Sequence, residues 1–257
     1  MTTVGPVQLL GASFFSTHHA SALDALDGRD RAFTAPTFPL LVARARRFTS
    51  LVTQLHVEVI GALPGATGAA SAVFATCHGE IQTAETLIAD LRDAQLVSSA
   101  RFALSVHNSP SGVYSVATGN TAPTTTITGD NAIAASWLEA VLTVLDTCRP
   151  VLLSIADEPV PAVFRGPPNP VGVAAAFLLG PSAREGHHAE LAITRRASPP
   201  ELDSGIDRAR SLDRDPASSL DLVRVLAQAA SGRTVALGAI EPGAALELQF
   251  LAAGART

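Results

Sequence analysis

The chain has 257 residues, 47% of them hydrophobic and only 16% charged, with a formal net charge of −5. That length suits one large α/β core; the apolar share excludes a disordered chain, and the acidic balance argues against a nucleic-acid partner, which calls for a basic face. All eighteen cationic positions are Arg, so the chain offers no lysine for a Schiff base or a phosphate-binding loop, which excludes pyridoxal enzymes and phosphate-loop NTPases.

In chain order, Val7 to Phe15 is apolar and predicts a first buried strand. Phe38 to His56 carries Leu40, Leu41, Ala45, Phe48, Leu51, Val52 and Leu55 at spacings of three and four, which predicts a helix with Arg44, Arg46 and Arg47 on its outer face. Ser71 to Thr76 reads as a short buried strand. After Gly79 a helix is expected from about Glu80 to Arg92, with Ile81, Leu87, Ile88 and Leu91 inward, and then a further strand over Phe102 to Val106. Residues 107–130 are rich in Gly, Ser, Thr and Asn, yet too patterned for a linker. Asn131 to Thr147 is apolar almost all round, which predicts a deeply buried helix, and Val151 to Ile155 a short strand.

The segment 159–170 holds five prolines and cannot continue a strand. Beyond it, Val171 to Leu179 and Ala189 to Thr194 read as strands around Pro181-Ser182. Pro199 to Asp215 reads as a polar excursion and Asp221 to Ala230 as a helix. Thr234 to Leu237 and Ala245 to Leu251 predict a closing hairpin across Glu241, Pro242 and Gly243. Strand–helix alternation up to residue 156 argues for an α/β sheet. No apolar run approaches the ~18 residues of a membrane span, and the two cysteines, Cys77 and Cys148, suit a reducing compartment. Cytoplasm is the expectation.

The segments Ser105–Asn108 (SVHN), Gly112–Ser115 (GVYS), Thr118–Asn120 (TGN), Pro123–Ile127 (PTTTI) and Trp137–Ala140 (WLEA) resemble the family of β-ketoacyl-synthase-like N-terminal domains. The likeness extends over about residues 5–195, and a C-terminal extension would complete a single domain spanning 1–257. It implies the N-terminal half of a thiolase-like α/β fold, a mixed sheet with helices on both faces. It also implies a subunit that stands beside a full ketosynthase, as in aryl polyene and related polyketide systems. The implied partner is a β-ketoacyl synthase in a heterodimer, with acyl carrier protein as a further partner; no cofactor and no metal are implied.

A condensing enzyme needs a cysteine at the start of a buried helix, where the macrodipole and free backbone amides favour thiolate. The resemblance places Thr128, Gly129 and Asp130 at that position, and none can replace a thiolate. Asp130 is instead expected to cap the helix that follows. The only histidines beyond residue 150 are His187 and His188, adjacent in sequence and so a poor pair for one oxyanion. The resemblance makes His107, Asn108, Thr118 and Asn120 candidate linings of an acyl channel. It makes Val151, Leu152, Leu153, Ser154 and Ile155 the expected dimer interface, on the view that this apolar strand lies at an open edge.

Competing readings are weaker. Cys77-His78 offers a thiol and an imidazole, but adjacent side chains diverge, and a buried structural cysteine is the simpler account. His18-His19 lacks a third ligand at metal spacing. The run Gly61, Gly65, Gly68 does not match a dinucleotide fingerprint, and no G-x-S-x-G elbow is present. Glu139 in the apolar helix is an orphan polar residue that needs a partner. Two alternatives to a silent partner remain: an acyl transferase or thioesterase using Cys77 or a Ser of 105–115, and a homodimeric acyl-binding protein.

Overall fold

The computed structural model describes residues 2–26, 29–37, 40–42, 46, 49–94, 96–164, 171–182, 190–197, 234–241 and 244–251. Eight strands form one mixed sheet: β1 (Thr2–Ser16), β2 (Ser71–Thr76), β3 (Thr124–Thr128), β4 (Val151–Asp157), β5 (Val173–Pro181), β6 (Glu190–Ala197), β7 (Thr234–Glu241) and β8 (Ala244–Leu251). Their order across the sheet is β3-β2-β4-β5-β1-β6-β8-β7. Strands β3, β2 and β4 are mutually parallel, and every other neighbouring pair is antiparallel. Helices among the described residues are α1 (Ala22–Leu26), α2 (Leu51–Ala62), α3 (Ile81–Ala94), α4 (Ser99–Ala103), α5 (Ser109–Thr118) and α6 (Ala132–Thr147).

The period-two geometry of the strands divides the core into two layers. Val151, Leu153 and Ile155 of β4, with Val73 and Ala75 of β2, pack under α6 through Ile133, Trp137, Val141 and Val144. The alternate residues Leu152 and Ala156, with Ala72 and Phe74, meet α2 through Val52, Leu55, Val59 and Ile60, and Tyr114 of α5 joins them. Helices therefore cover both faces, as expected. Trp137 is wholly buried, its ring 4.6 Å from that of Phe177. In the other layer, His56 of α2 is wholly buried and its Nδ1 lies 2.8 Å from Ser154 Oγ. Burial holds that imidazole down at about 3, so it packs as a neutral ring.

Several expectations need correction. The strand placed at Phe102 to Val106 is absent: Ser98 Oγ accepts from the Arg101 amide at 3.3 Å and starts the short helix α4. Ile88, Leu91, Phe102 and Val106 are exposed. The Gly/Ser-rich stretch contains helix α5, with Pro110 in its first turn and Gly119 in the left-handed region at its end. Within the helix expected over 38–56, helix α2 starts at Leu51, where Ser50 Oγ accepts from the Thr53 amide; upstream, Arg46 is helical with its amide on the Val42 carbonyl at 3.3 Å, and Arg44 and Arg47 lie outside the described residues. Helix α6 is not buried all round, since Leu142 and Leu145 are 45% and 40% exposed, and Glu139 is only half-buried. The closing hairpin is present as β7–β8. His187, His188, the excursion 199–215 and the helix expected at 221–230 fall outside the described residues.

Candidate functional site: the carboxyl ends of the parallel strands

The three parallel strands finish together, Thr76 of β2 in register with Thr128 of β3 and Ala75 with Ile155 of β4. Ligand sites of open α/β sheets lie beyond such strand ends. From β3 the chain turns at Gly129, whose φ of +102° a side chain would strain, and enters α6. Gly129 N donates to the Cys77 carbonyl at 3.2 Å, and Ala132 N to the Gly129 carbonyl at 2.9 Å. Residues 128–130 thus lie at the amino end of a 16-residue helix whose first turn is Ala132, Ile133 and Ala134. It contains no thiol. The expectation that Asp130 caps this helix is overturned: Asn131 holds the cap position, makes no side-chain cap bond, and donates from Nδ2 to the Ile240 carbonyl at 3.2 Å. Asp130 is exposed.

Beside this position lies a group of carboxylates that sequence reasoning missed. Asp157, at the end of β4, accepts at Oδ1 from the Thr76 hydroxyl at 2.9 Å and from the Cys77 amide at 2.7 Å. Glu158 accepts at Oε2 from the Val52 amide at 3.2 Å and at Oε1 from the Gln82 amide at 2.9 Å. These are second-position amides of α2 and α3, so one carboxylate holds the positive ends of two helices. Glu80 bridges the same helices, accepting from Thr53 Oγ1 at 2.9 Å and from Thr83 Oγ1 at 3.2 Å.

All three are buried. Desolvation is the largest influence on each and favours the neutral acid. It raises Asp157, against the opposing charge of His78 and the Cys77 amide, and raises Glu80, against the hydroxyls of Ser50, Thr53 and Thr83. Glu158 is pushed up to about 7 by burial, the Gln82 amide opposing and the nearby Glu80 carboxylate adding to the rise. A cleft of about 550 Å³ opens over Glu158, with Ser50, Thr83, Thr86, Ser98 and Arg101 among its walls. The sequence signal was available: Asp157-Glu158-Pro159 follows an unbroken apolar strand, and carboxylates are almost never fully buried without partners.

The four candidate channel residues are not brought together. His107 and Asn108 precede α5 and are exposed, whereas Thr118 and Asn120 lie at its other end, about 15 Å away at 1.5 Å per residue. Thr118 Oγ1 donates to the Tyr114 carbonyl at 2.8 Å and Asn120 Nδ2 to Tyr114 Oη at 3.0 Å, so both serve to fix α5. The expected interface strand is also corrected. Val151, Leu152, Leu153, Ser154 and Ile155 are buried and paired on both sides, with β2 and β5. An apolar strand with every residue buried signals the centre of a sheet; the nearer edge among the described residues is β3, with β2 between it and β4. Among the described residues no cluster could hold a metal ion, and no helix is long and apolar enough to cross a membrane.

The family model for the β-ketoacyl synthase N-terminal domain matches residues 24–240, and the chain belongs to that family. Among curated proteins none matches. Among solved structures, the fold is similar to a chain of the ketosynthase ApeO in complex with its chain length factor ApeC from Xenorhabdus doucetiae. The TM-score there is 0.72 at 16% identity, covering 95% of this chain and 99% of that one. It is also similar to a chain of AntDE:AntF, a type II polyketide synthase acyl-carrier protein in complex with its ketosynthase (TM-score 0.67, 14% identity, 97% and 100% covered). The ishigamide ketosynthase/chain length factor gives a TM-score of 0.54 at 14% identity, with 81% and 70% covered. At these identities the likeness establishes the thiolase-like ketosynthase fold.

Proposed function

We propose that this chain is a non-condensing partner subunit, comparable to a chain length factor, that pairs with an active β-ketoacyl synthase in the cytoplasm during polyketide-type synthesis such as that of aryl polyenes. The observation that carries the reading is the amino end of α6. The helix, the glycine turn and the strand that would present a nucleophile are all in place, and the nucleophile is absent. The pairing surface includes β3, whose sequence TTTIT holds no charge, no proline and no bulge, and whose outer side has no neighbouring strand among the described residues. Natural sheets blunt such an edge unless another chain covers it. Acyl carrier protein would visit the assembled pair.

The test is co-expression with the neighbouring ketosynthase, followed by size-exclusion chromatography and intact-mass analysis. The expected result is a stoichiometric complex in which malonyl- and acyl-carrier protein acylate the ketosynthase alone. A second reading, an acyl-transferring enzyme using Cys77, draws on that residue's place against Gly129 at the start of α6. Stoichiometric acylation of Cys77 in the isolated chain would establish it and end the first.

A further inference from the structure

Between β2 and α5 the chain leaves the body of the domain as a helical arm. The first turn of helix α3 is held to the body by Glu158, and beyond it the helix packs against α4. The two are braced to one another by Arg101 Nη1 on Asp90 Oδ2 at 2.9 Å, and α4 is capped by Ser98. The arm is thus built to hold its shape, yet it displays large apolar side chains. Ile88, Leu91, Leu96, Val97, Phe102 and Val106 are between 39% and 76% exposed. At roughly 100 Å² apiece these six offer about 600 Å² of apolar surface. Isolated apolar residues need no explanation, but six large ones within a single 19-residue arm segment, 88–106, are the kind of concentration that interaction sites show.

The arm's position fits the pairing proposed above, on which this inference rests. Its two feet meet at the carboxyl end of β2: a Cβ built on Gly79 would lie 3.6 Å from the Cβ of His107. Thr76, three residues before the first foot, pairs with Thr128 at the end of the β3 edge. The arm therefore rises one strand, about 5 Å, from the open edge of the sheet. A five-residue edge strand alone falls far short of the ~800 Å² per partner of a standard interface, whereas the edge and the arm together reach that size. We infer that the α3–α4 arm is the main grip of this subunit on its ketosynthase, seating its apolar side chains in a hollow of the partner beside the strand pairing.

The test uses the full chain co-expressed with its tagged ketosynthase in three forms: wild type, the double variant Leu91→Glu/Phe102→Glu, and the control Val163→Glu, which alters a side chain equally exposed but off the arm. The altered side chains are already solvated in the free chain, so circular dichroism and thermal melting should match wild type. Ile88→Ser/Leu96→Ser provides a second, uncharged pair. The expected result is that wild type and Val163→Glu co-elute with the ketosynthase, while both arm variants lose at least about a hundredfold in affinity, the loss typical of central interface residues. Full retention of the complex by both folded arm variants would overturn the arm's role while leaving the pairing intact. Failure of wild type to bind the ketosynthase would overturn the pairing itself and the arm's role with it. A wild-type homodimer that the arm variants turn into monomer would show that a second copy occupies the arm, which also overturns the inference.

Discussion

Replacing Glu158 by glutamine should change how stability depends on pH in a direction opposite to that of an ordinary surface carboxylate. In the folded chain Glu158 sits at about 7, against an ordinary value of 4.5. Between those values the native state holds a proton that the unfolded chain has released. Stability linked to this group is therefore fully present below pH ~4.5 and is lost as pH rises through about 7. A gap of roughly two and a half units at ~1.36 kcal/mol each amounts to about 3 kcal/mol. Glutamine has nearly the same shape and can still accept from the Gln82 amide, but its own NH₂ faces the Val52 amide, which adds a fixed cost that does not vary with pH. The assay is urea unfolding of both proteins from pH 5 to pH 8, with the difference between them taken at each pH so that other titrating groups cancel. Wild type should lose about 3 kcal/mol relative to Glu158→Gln across that range. A flat difference, or one that grows in favour of wild type as pH rises, would refute the idea that burial outweighs the two amide bonds.

Other outcomes follow from the same geometry. The imidazole of His56 is held down at about 3, so its contribution has the opposite sign: present above pH ~6.5 and lost as pH falls toward 3. Acid unfolding should consequently be several kcal/mol less steep in His56→Phe/Ser154→Ala, as judged by far-ultraviolet circular dichroism at graded pH. Leu153→Asp should unfold the isolated chain, because an unpaired charge inside the central strand costs upward of ~3 kcal/mol. Thr125→Arg on the outer strand should leave the fold intact and abolish co-elution with the ketosynthase, and the reverse pattern would return the interface to β4. Cys148 ends α6 at a φ of +52°, so Cys148→Gly should raise thermal stability by ~1 kcal/mol. An unchanged melting temperature would show that the terminus already relaxes that strain.

Much of the fold was legible because apolar periodicity reports burial directly. Ser71 to Thr76, Asn131 to Thr147 and Val151 to Ile155 fall within a residue or two of β2, α6 and β4. The same signal misled wherever apolar residues are exposed. Ile88, Leu91 and Phe102 look like core in sequence, and only the surrounding fold shows them exposed. The error over Val151 to Ile155 has a related cause. Apolarity identifies a buried strand, but its neighbours depend on β5 returning beside it from beyond the proline-rich segment, and that pairing is not written locally. The place of residues 128–130 just ahead of α6 could be read from the apolar helix that follows them. Glu158 could not, because its role depends on two helix ends that converge from residues 52 and 82.

That convergence also supports the proposed non-condensing role, on grounds separate from the missing cysteine. An oxyanion site needs backbone donors left free and aimed at one point. Here four donors near the strand ends are already taken: the Cys77 amide by Asp157, the Gly79 amide by Thr76 Oγ1, and the Val52 and Gln82 amides by Glu158. Freeing any one of them would leave a buried carboxylate or hydroxyl short of a hydrogen bond, at a cost of ~1–3 kcal/mol. On the proposed reading, Asp130→Cys should therefore give no release of carbon dioxide from malonyl-carrier protein, and release at a rate matching the partner ketosynthase would refute it.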